Sequence, residues 1–275
     1  MSYKLSRSRP LSNEAVRIGA ELNSHGVAIT SAESLLQTHE NYGELLGAVE
    51  EMELNRKEQL AAARKESEKK DAIGEKVFNL EMLGRQPVFD ISNTYAHFAL
   101  QKEILGIANA YLGMFTSLRY FNVWHTFATN GGPRESQLWH RDREDFRILK
   151  LFLYLSDVDE NSGSFNYVPG THRKGKYRSL EPEHFLEGGV RRSTDEQMQA
   201  AIPEDRWKKC TGKKGTLIFA DTSGYHKGGE ARTKDRLMYT CMYTSPASES
   251  ERLIKFPDDF DPSLLDKEQS RALQI

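Results

Sequence analysis

From about residue 115 the chain breaks into short β-rich runs, and this most restricts what it can become. Thr116–Thr126, Leu149–Leu155, Phe165–Val168, Thr216–Phe219 and Leu237–Thr244 each carry the branched and aromatic residues that suit a pleated, half-buried surface. Between them lie explicit turn sequences: Asn130-Gly131-Gly132-Pro133, Asn161-Ser162-Gly163 and Pro169-Gly170. Val27–Thr30, after Gly26, reads as one further strand. Several short strands after an α-rich segment suggest an antiparallel barrel or sandwich buttressed by helices.

The stretch before residue 115 has a different texture. Leu100, Ile104, Ile107, Ala108 and Tyr111 recur at helical spacing, and Gly113 offers the stop. Residues 51–76 hold 14 charged residues, seven of each sign, with Glu53–Lys57 and Glu66–Lys70 in the favourable order for helical pairs. This predicts a solvated helix, a lid or an insertion. The reading is therefore one domain over 1–275. It has a helix-rich part to 114, a β core over 115–245 with a polar excursion at 172–214, and a tail from 246.

The formal charge of −2 excludes a polycationic nucleic-acid binder, and no apolar run reaches the ~20 residues of a membrane span. The two cysteines, Cys210 and Cys241, are too few for a disulfide scaffold or a thiolate zinc module. Lys4, Arg7 and Arg9 are not followed by a signal-peptide core, leaving the cytoplasm as the expected location. Oligomeric state is not encoded legibly.

The chemistry concentrates in Gln137-Leu138-Trp139-His140-Arg141-Asp142. In extended backbone His140 and Asp142 point the same way, so imidazole and carboxylate can occupy adjacent positions on one divalent metal. His226, after a turn-like Asp221-Thr222-Ser223-Gly224, is the best third ligand. Two histidines and a carboxylate on one octahedral face leave three positions open, the facial triad of non-haem Fe(II) oxygenases. Zinc can use the same set. Arg236 weighs toward iron: a guanidinium opening a barrel strand requires an anionic partner, which a dicarboxylate cosubstrate supplies.

Residues 137–172, through Asn161-Ser162-Gly163 and Val168-Pro169-Gly170-Thr171-His172, together with Gly215–Phe219, His226 and Arg236, resemble the phytanoyl-CoA dioxygenase (PhyH) superfamily. The resemblance implies a mainly β fold, a double-stranded β-helix (jelly-roll, cupin-like) buttressed by N-terminal helices. It implies Fe(II), 2-oxoglutarate and O₂, with His140, Asp142 and His226 as ligands and Arg236 on the distal carboxylate of 2-oxoglutarate. Related halogenases replace the ligating carboxylate with a small residue; Asp142 argues for hydroxylation or another oxidation instead. The expected product set is an oxidised small molecule, an anionic one among the readings, with succinate and CO₂.

Strand alternation suggests further contacts. Leu149, Leu151, Leu153 and Leu155 should face a helix layer, placing Lys150 and Tyr154 near cosubstrate or substrate. Asn122 is a comparable candidate for a cosubstrate amide contact, and His125 for a cavity-facing side chain. Trp139 and Tyr225 should point away from the metal, and His172 should be structural. The competing readings are a zinc-dependent hydrolase, with Glu135 or Glu144 as base, and a non-catalytic cupin-like binding protein.

Overall fold

The computed structural model describes residues 11–36, 40–68, 78–90 and 92–275. Lys4, Arg7, Arg9, Lys70 and the end of the charged 51–76 segment lie outside the described residues. The first half is helical: α1 (Asn13–His25), β1 (Val27–Ser31), α2 (Ala32–Leu35), α3 (Glu40–Asn55), α4 (Lys57–Ser67), β2 (Asn79–Glu81), α5 (Thr94–Ala99) and α6 (Lys102–Leu112). Strands dominate the rest: β3 (Ser117–Thr126), β4 (Ile148–Tyr154), β5 (Phe165–Tyr167), β6 (Phe185–Glu187) and β7 (Val190–Arg192). After α7 (Asp195–Ala201) come β8 (Lys208–Cys210), β9 (Thr216–Ala220), β10 (His226–Gly228), β11 (Arg236–Thr244) and α8 (Lys267–Leu273).

All pairs between these strands are antiparallel. The larger sheet runs β1-β9-β4-β11-β3-β2, the smaller β10-β5-β8, and β6-β7 form a separate hairpin. The two larger sheets share a core but not a hydrogen-bonded ladder, so among the described residues the outcome is a jelly-roll sandwich, with no closed barrel.

Alternation along β4 works as the sequence predicts. Leu149, Leu151, Leu153 and the following Leu155 pack with Ile104, Ile107, Ala108 and Tyr111 of α6 in the main core. Each such leucine contributes roughly 2 kcal/mol of apolar burial. Leu237, Tyr239, Cys241 and Tyr243 of β11 join the same layer. The Tyr239 and Tyr243 hydroxyls donate to Tyr95 O and Ala99 O, each at 2.6 Å, pinning α5 to the sheet. The opposite face, with Phe152, Tyr154, Ile218 and Met238, packs against Phe165, Tyr167 and Cys210 of the smaller sheet.

Three expectations change. Leu100 does not belong to the long helix: it ends α5, and α6 starts afresh after Gln101. The charged helix is broken at Arg56, and α3 is not simply solvated, since Leu45, Val49 and Met52 are buried in the main core. The 172–214 excursion holds the β6–β7 hairpin and α7, and it ends in β8 of the smaller sheet. The three-residue strands β6, β7, β8 and β10 carry too little alternation of their own to be read without their partners.

Candidate metal centre

His140 and His226 are brought together by backbone pairing. They form an isolated antiparallel bridge, each N–H donating to the other's carbonyl at 3.0 Å. Asp142 N donates to Thr222 O at 2.9 Å, continuing the same alignment. The turn that delivers His226 is held by Asp221, whose Oδ1 accepts from Ser223 N and Oγ at 3.0 and 2.6 Å. Gly224 in that turn is required by space, because a Cβ there would lie 2.1 Å from the Tyr167 hydroxyl.

The ligand atoms of His140, Asp142 and His226 all lie within 4.8 Å of one another. His140 Nδ1 is 2.8 Å from Leu138 O and His226 Nδ1 is 3.0 Å from Gly224 O. A carbonyl only accepts, so each Nδ1 carries the proton and each Nε2 keeps its lone pair. Nε2 of His140 lies 3.8 Å, and Nε2 of His226 3.6 Å, from the Asp142 carboxylate. Burial, then the neighbouring His226, holds the His140 imidazole well below its usual value. Burial likewise lowers His226. Both rings are therefore neutral ligands at pH 7.

Lys150 completes the charge balance. Its Nζ lies 2.6 Å from Asp142 Oδ2 and 3.7 Å from Glu144 Oε1. Burial alone would raise the Asp142 pKa, but Lys150 and the two imidazoles outweigh it and drive it far down. Burial would lower the Lys150 pKa, and Asp142 outweighs that in turn. The pair is ionised.

The triad lines a cavity of about 620 Å³ between the sheets, walled by Phe152, Phe165, Met238, Lys150 and Arg236 among others. Arg236 projects from the start of β11 on the same face as Met238 and Thr240, 5% exposed. Its Nη1 donates to Gly163 O and its Nη2 to Thr126 Oγ1 at 3.1 Å, while Nε has no partner among the described residues. Among the described residues no carboxylate offsets its burial, which lowers its pKa.

Two of the other expected contacts are differently employed. Asn122 reaches the cavity wall, but its Nδ2 donates to Gly84 O at 2.7 Å and its Oδ1 accepts from Leu83 N and Val123 N. Tyr154 lies in the packed end between the sheets, donating to Cys210 O at 2.6 Å and accepting from Phe165 N at 3.0 Å. His125 turns from the cavity to Asp235, with Nε2 2.8 Å from its Oδ2. Trp139 and Tyr225 point away from the triad as expected, Trp139 packing edge-on against Trp207 at 4.9 Å. His172 is buried against Asn23 O, a structural position.

The sequence reading overlooked Arg192. It ends β7 and lines the cavity, 5% exposed, whereas its neighbour Arg191 is exposed and paired with Glu181. Alternation in Val190-Arg191-Arg192 was the available signal, masked by the mixed charges of the excursion.

A jelly-roll sandwich carrying two histidines and one carboxylate at one end of its cavity defines a facial-triad metal protein. The sequence profile described as Phytanoyl-CoA dioxygenase (PhyH) matches residues 28–238, more than half of the 275-residue chain, and the chain belongs to that family. No curated protein matches it significantly. Among solved structures, EctD from S. alaskensis with bound Fe is similar, with a TM-score of 0.56 and 16% identity over 98% of this chain and 89% of that one. The carbocyclase SnoK from nogalamycin biosynthesis gives 0.54, at 19% identity over 93% and 91%. The epimerase SnoN, in complex with Fe3+, alpha ketoglutarate and nogalamycin RO, gives 0.53, at 17% identity over 87% of each chain. At these identities the likeness establishes the fold. No described helix is long and apolar enough to cross a membrane.

Proposed function

We propose that this chain is an Fe(II)- and 2-oxoglutarate-dependent dioxygenase that hydroxylates a small molecule. The observation that carries the reading is the pairing, in one cavity, of three convergent ligand atoms with a buried guanidinium that has no carboxylate of its own among the described residues. The donor set fits iron: two neutral imidazoles fixed through Nδ1, and one carboxylate held ionised. When bound, iron with 2-oxoglutarate and O₂ supplies the oxidising chemistry, and 2-oxoglutarate leaves as succinate and CO₂.

The protein's part is binding, orientation and exclusion of water. His140, Asp142 and His226 hold the metal. Arg236 receives the distal carboxylate of 2-oxoglutarate, gaining the charged acceptor that its unpartnered Nε lacks. Lys150 keeps Asp142 ionised and oriented. Phe152, Phe165 and Met238 make an apolar wall on which a substrate carbon can rest close to the metal. A zinc hydrolase would need a carboxylate base free beside the triad. Glu144 lies toward Lys150 and Glu135 toward Arg192, so neither favours that reading.

The test is anaerobic binding of 2-oxoglutarate to the Fe(II)-loaded protein, followed by succinate release in air. Arg236→Ala should weaken 2-oxoglutarate binding about 10- to 100-fold, the value of a charge-assisted bidentate contact. Asp142→Ala should lose the metal. Wild-type protein that takes up Fe(II) but binds no 2-oxoglutarate sinks the proposal, and O₂-independent hydrolysis would replace it with the zinc reading.

A further inference from the structure

The cavity contains a second buried guanidinium, and its position is set by register. Trp139 and Ser193 form an antiparallel bridge, with N–H···O distances of 3.0 Å in both directions. One step along, that register sets Arg192 opposite His140, which is itself paired with His226 on its other side. Cross-strand neighbours project from the same face, so Arg192, His140 and His226 form a row along the cavity. Trp139 and Ser193 project to the opposite face.

The donors of Arg192 are incompletely used. Nη2 lies 3.5 Å from Glu135 Oε2 and Nε lies 4.0 Å from Glu187 Oε2, both too long for strong hydrogen bonds. Nε and Nη1 are buried without a hydrogen-bond partner among the described residues. Arg192 lines the cavity, and a buried guanidinium with N–H groups left idle is costly unless an acceptor reaches it. The metal cannot be that partner, since both are cations, and Arg236 already answers the distal end of 2-oxoglutarate. Arg143 on the same cavity wall adds positive potential beside Arg192.

We propose that Arg192 is a specificity-determining residue that receives a carboxylate of the primary substrate beside the metal centre. The assignment rests on the oxygenase reading above and names its substrate class: a small carboxylic acid whose acid group docks on β7 and whose oxidised carbon lies over the Phe152–Phe165 wall. Glu135 and Glu187 already stand near the guanidinium, so like-charge repulsion favours a monoanionic carboxylate over a dianionic phosphate.

The experiment uses the full chain loaded with Zn(II) and saturated with N-oxalylglycine, an unreactive mimic of 2-oxoglutarate. A collection of small carboxylic acids, each paired with its methyl ester, is titrated by calorimetry. Binders should be found among the acids, with the esters at least about tenfold weaker. Arg192→Gln should weaken the same acids about 10- to 100-fold, Arg192→Lys should recover part of the loss, and N-oxalylglycine should bind all three proteins alike. The proposal falls if no acid binds, if esters bind as well as acids, or if Arg192→Gln binds acids like wild type. It also falls if that variant loses N-oxalylglycine instead, which would exchange the roles of the two arginines. Failure of the wild type to bind N-oxalylglycine is a separate outcome, which overturns the oxygenase reading itself.

Discussion

Lys150 shows how much of the site's behaviour is decided by one side chain. Its ammonium faces the Asp142 carboxylate at 2.6 Å in a buried setting, so the triad is neutralised before a metal enters. Lys150→Met removes that partner and leaves a buried carboxylate beside two neutral imidazoles. Such a change costs about 3–5 kcal/mol in metal-free protein. A divalent ion would then restore the missing positive charge, so the variant should gain more stability from added Zn(II) than wild type does. Thermal unfolding with and without Zn(II) checks this, and equal gains in the two proteins would contradict it. The residues easiest to read from sequence were those with a chemical signature at fixed spacing, His140 and Asp142 above all. Arg192 had none: a guanidinium among many mixed charges gains its meaning from burial and from its register against Trp139, neither of which is local in sequence.

Between elements, a charged cluster joins the helical layer to the sheet just before Arg236. Asp235 pairs with His125 of β3 at 2.8 Å and with Arg64 of α4, and accepts from Ala128 N at 2.9 Å. Glu53 of α3 lies 3.6 Å from the other His125 nitrogen. Burial would raise the Asp235 pKa, but His125, Ala128 N–H and Arg64 outweigh it and lower it to about 2. For His125, burial would lower the value, and the two carboxylates more than reverse that. A depressed carboxylate contributes stability above its ordinary 3.8 and loses it as pH falls toward about 2. A raised histidine contributes below its ordinary 6.5 and loses that contribution as pH climbs through its raised value. Asp235→Asn should therefore lower stability near pH 6 by roughly 2 kcal/mol and flatten both flanks of the melting-temperature profile. An unchanged profile would show that the cluster does not fasten these elements. In sequence, β3, β4, β9 and β11 were legible because each is long enough for branched residues and alternation to register. The strands β6, β7, β8 and β10 have three residues each, and their identity comes from partners far along the chain.

For the whole molecule, the sandwich is closed unequally at its two ends. One end is filled by Tyr154, Tyr167 and Ile218, while the other is left open as the metal cavity. The antiparallel frame was legible in the spacing of turns and strands, but which end would stay open was not, because it depends on side chains from both sheets meeting. The central strand β11 is buried throughout and paired on both sides, by β3 and β4. The metal end has less support: β10 pairs with β5 over three residues, and the His140 segment is held by isolated bridges to His226 and Ser193. A metal bound by His140, Asp142 and His226 would staple these weakly paired segments together, whereas β11 already opens only with the whole fold. Native-state hydrogen exchange should thus find the β11 amides the most protected with or without metal. Zn(II) should slow exchange selectively at His140, Asp142 and His226, whose N–H groups donate to His226 O, Thr222 O and His140 O. Uniform slowing across both sheets would mean instead that the metal site and the sandwich unfold as one unit, and that the open end is as firmly built as the closed one.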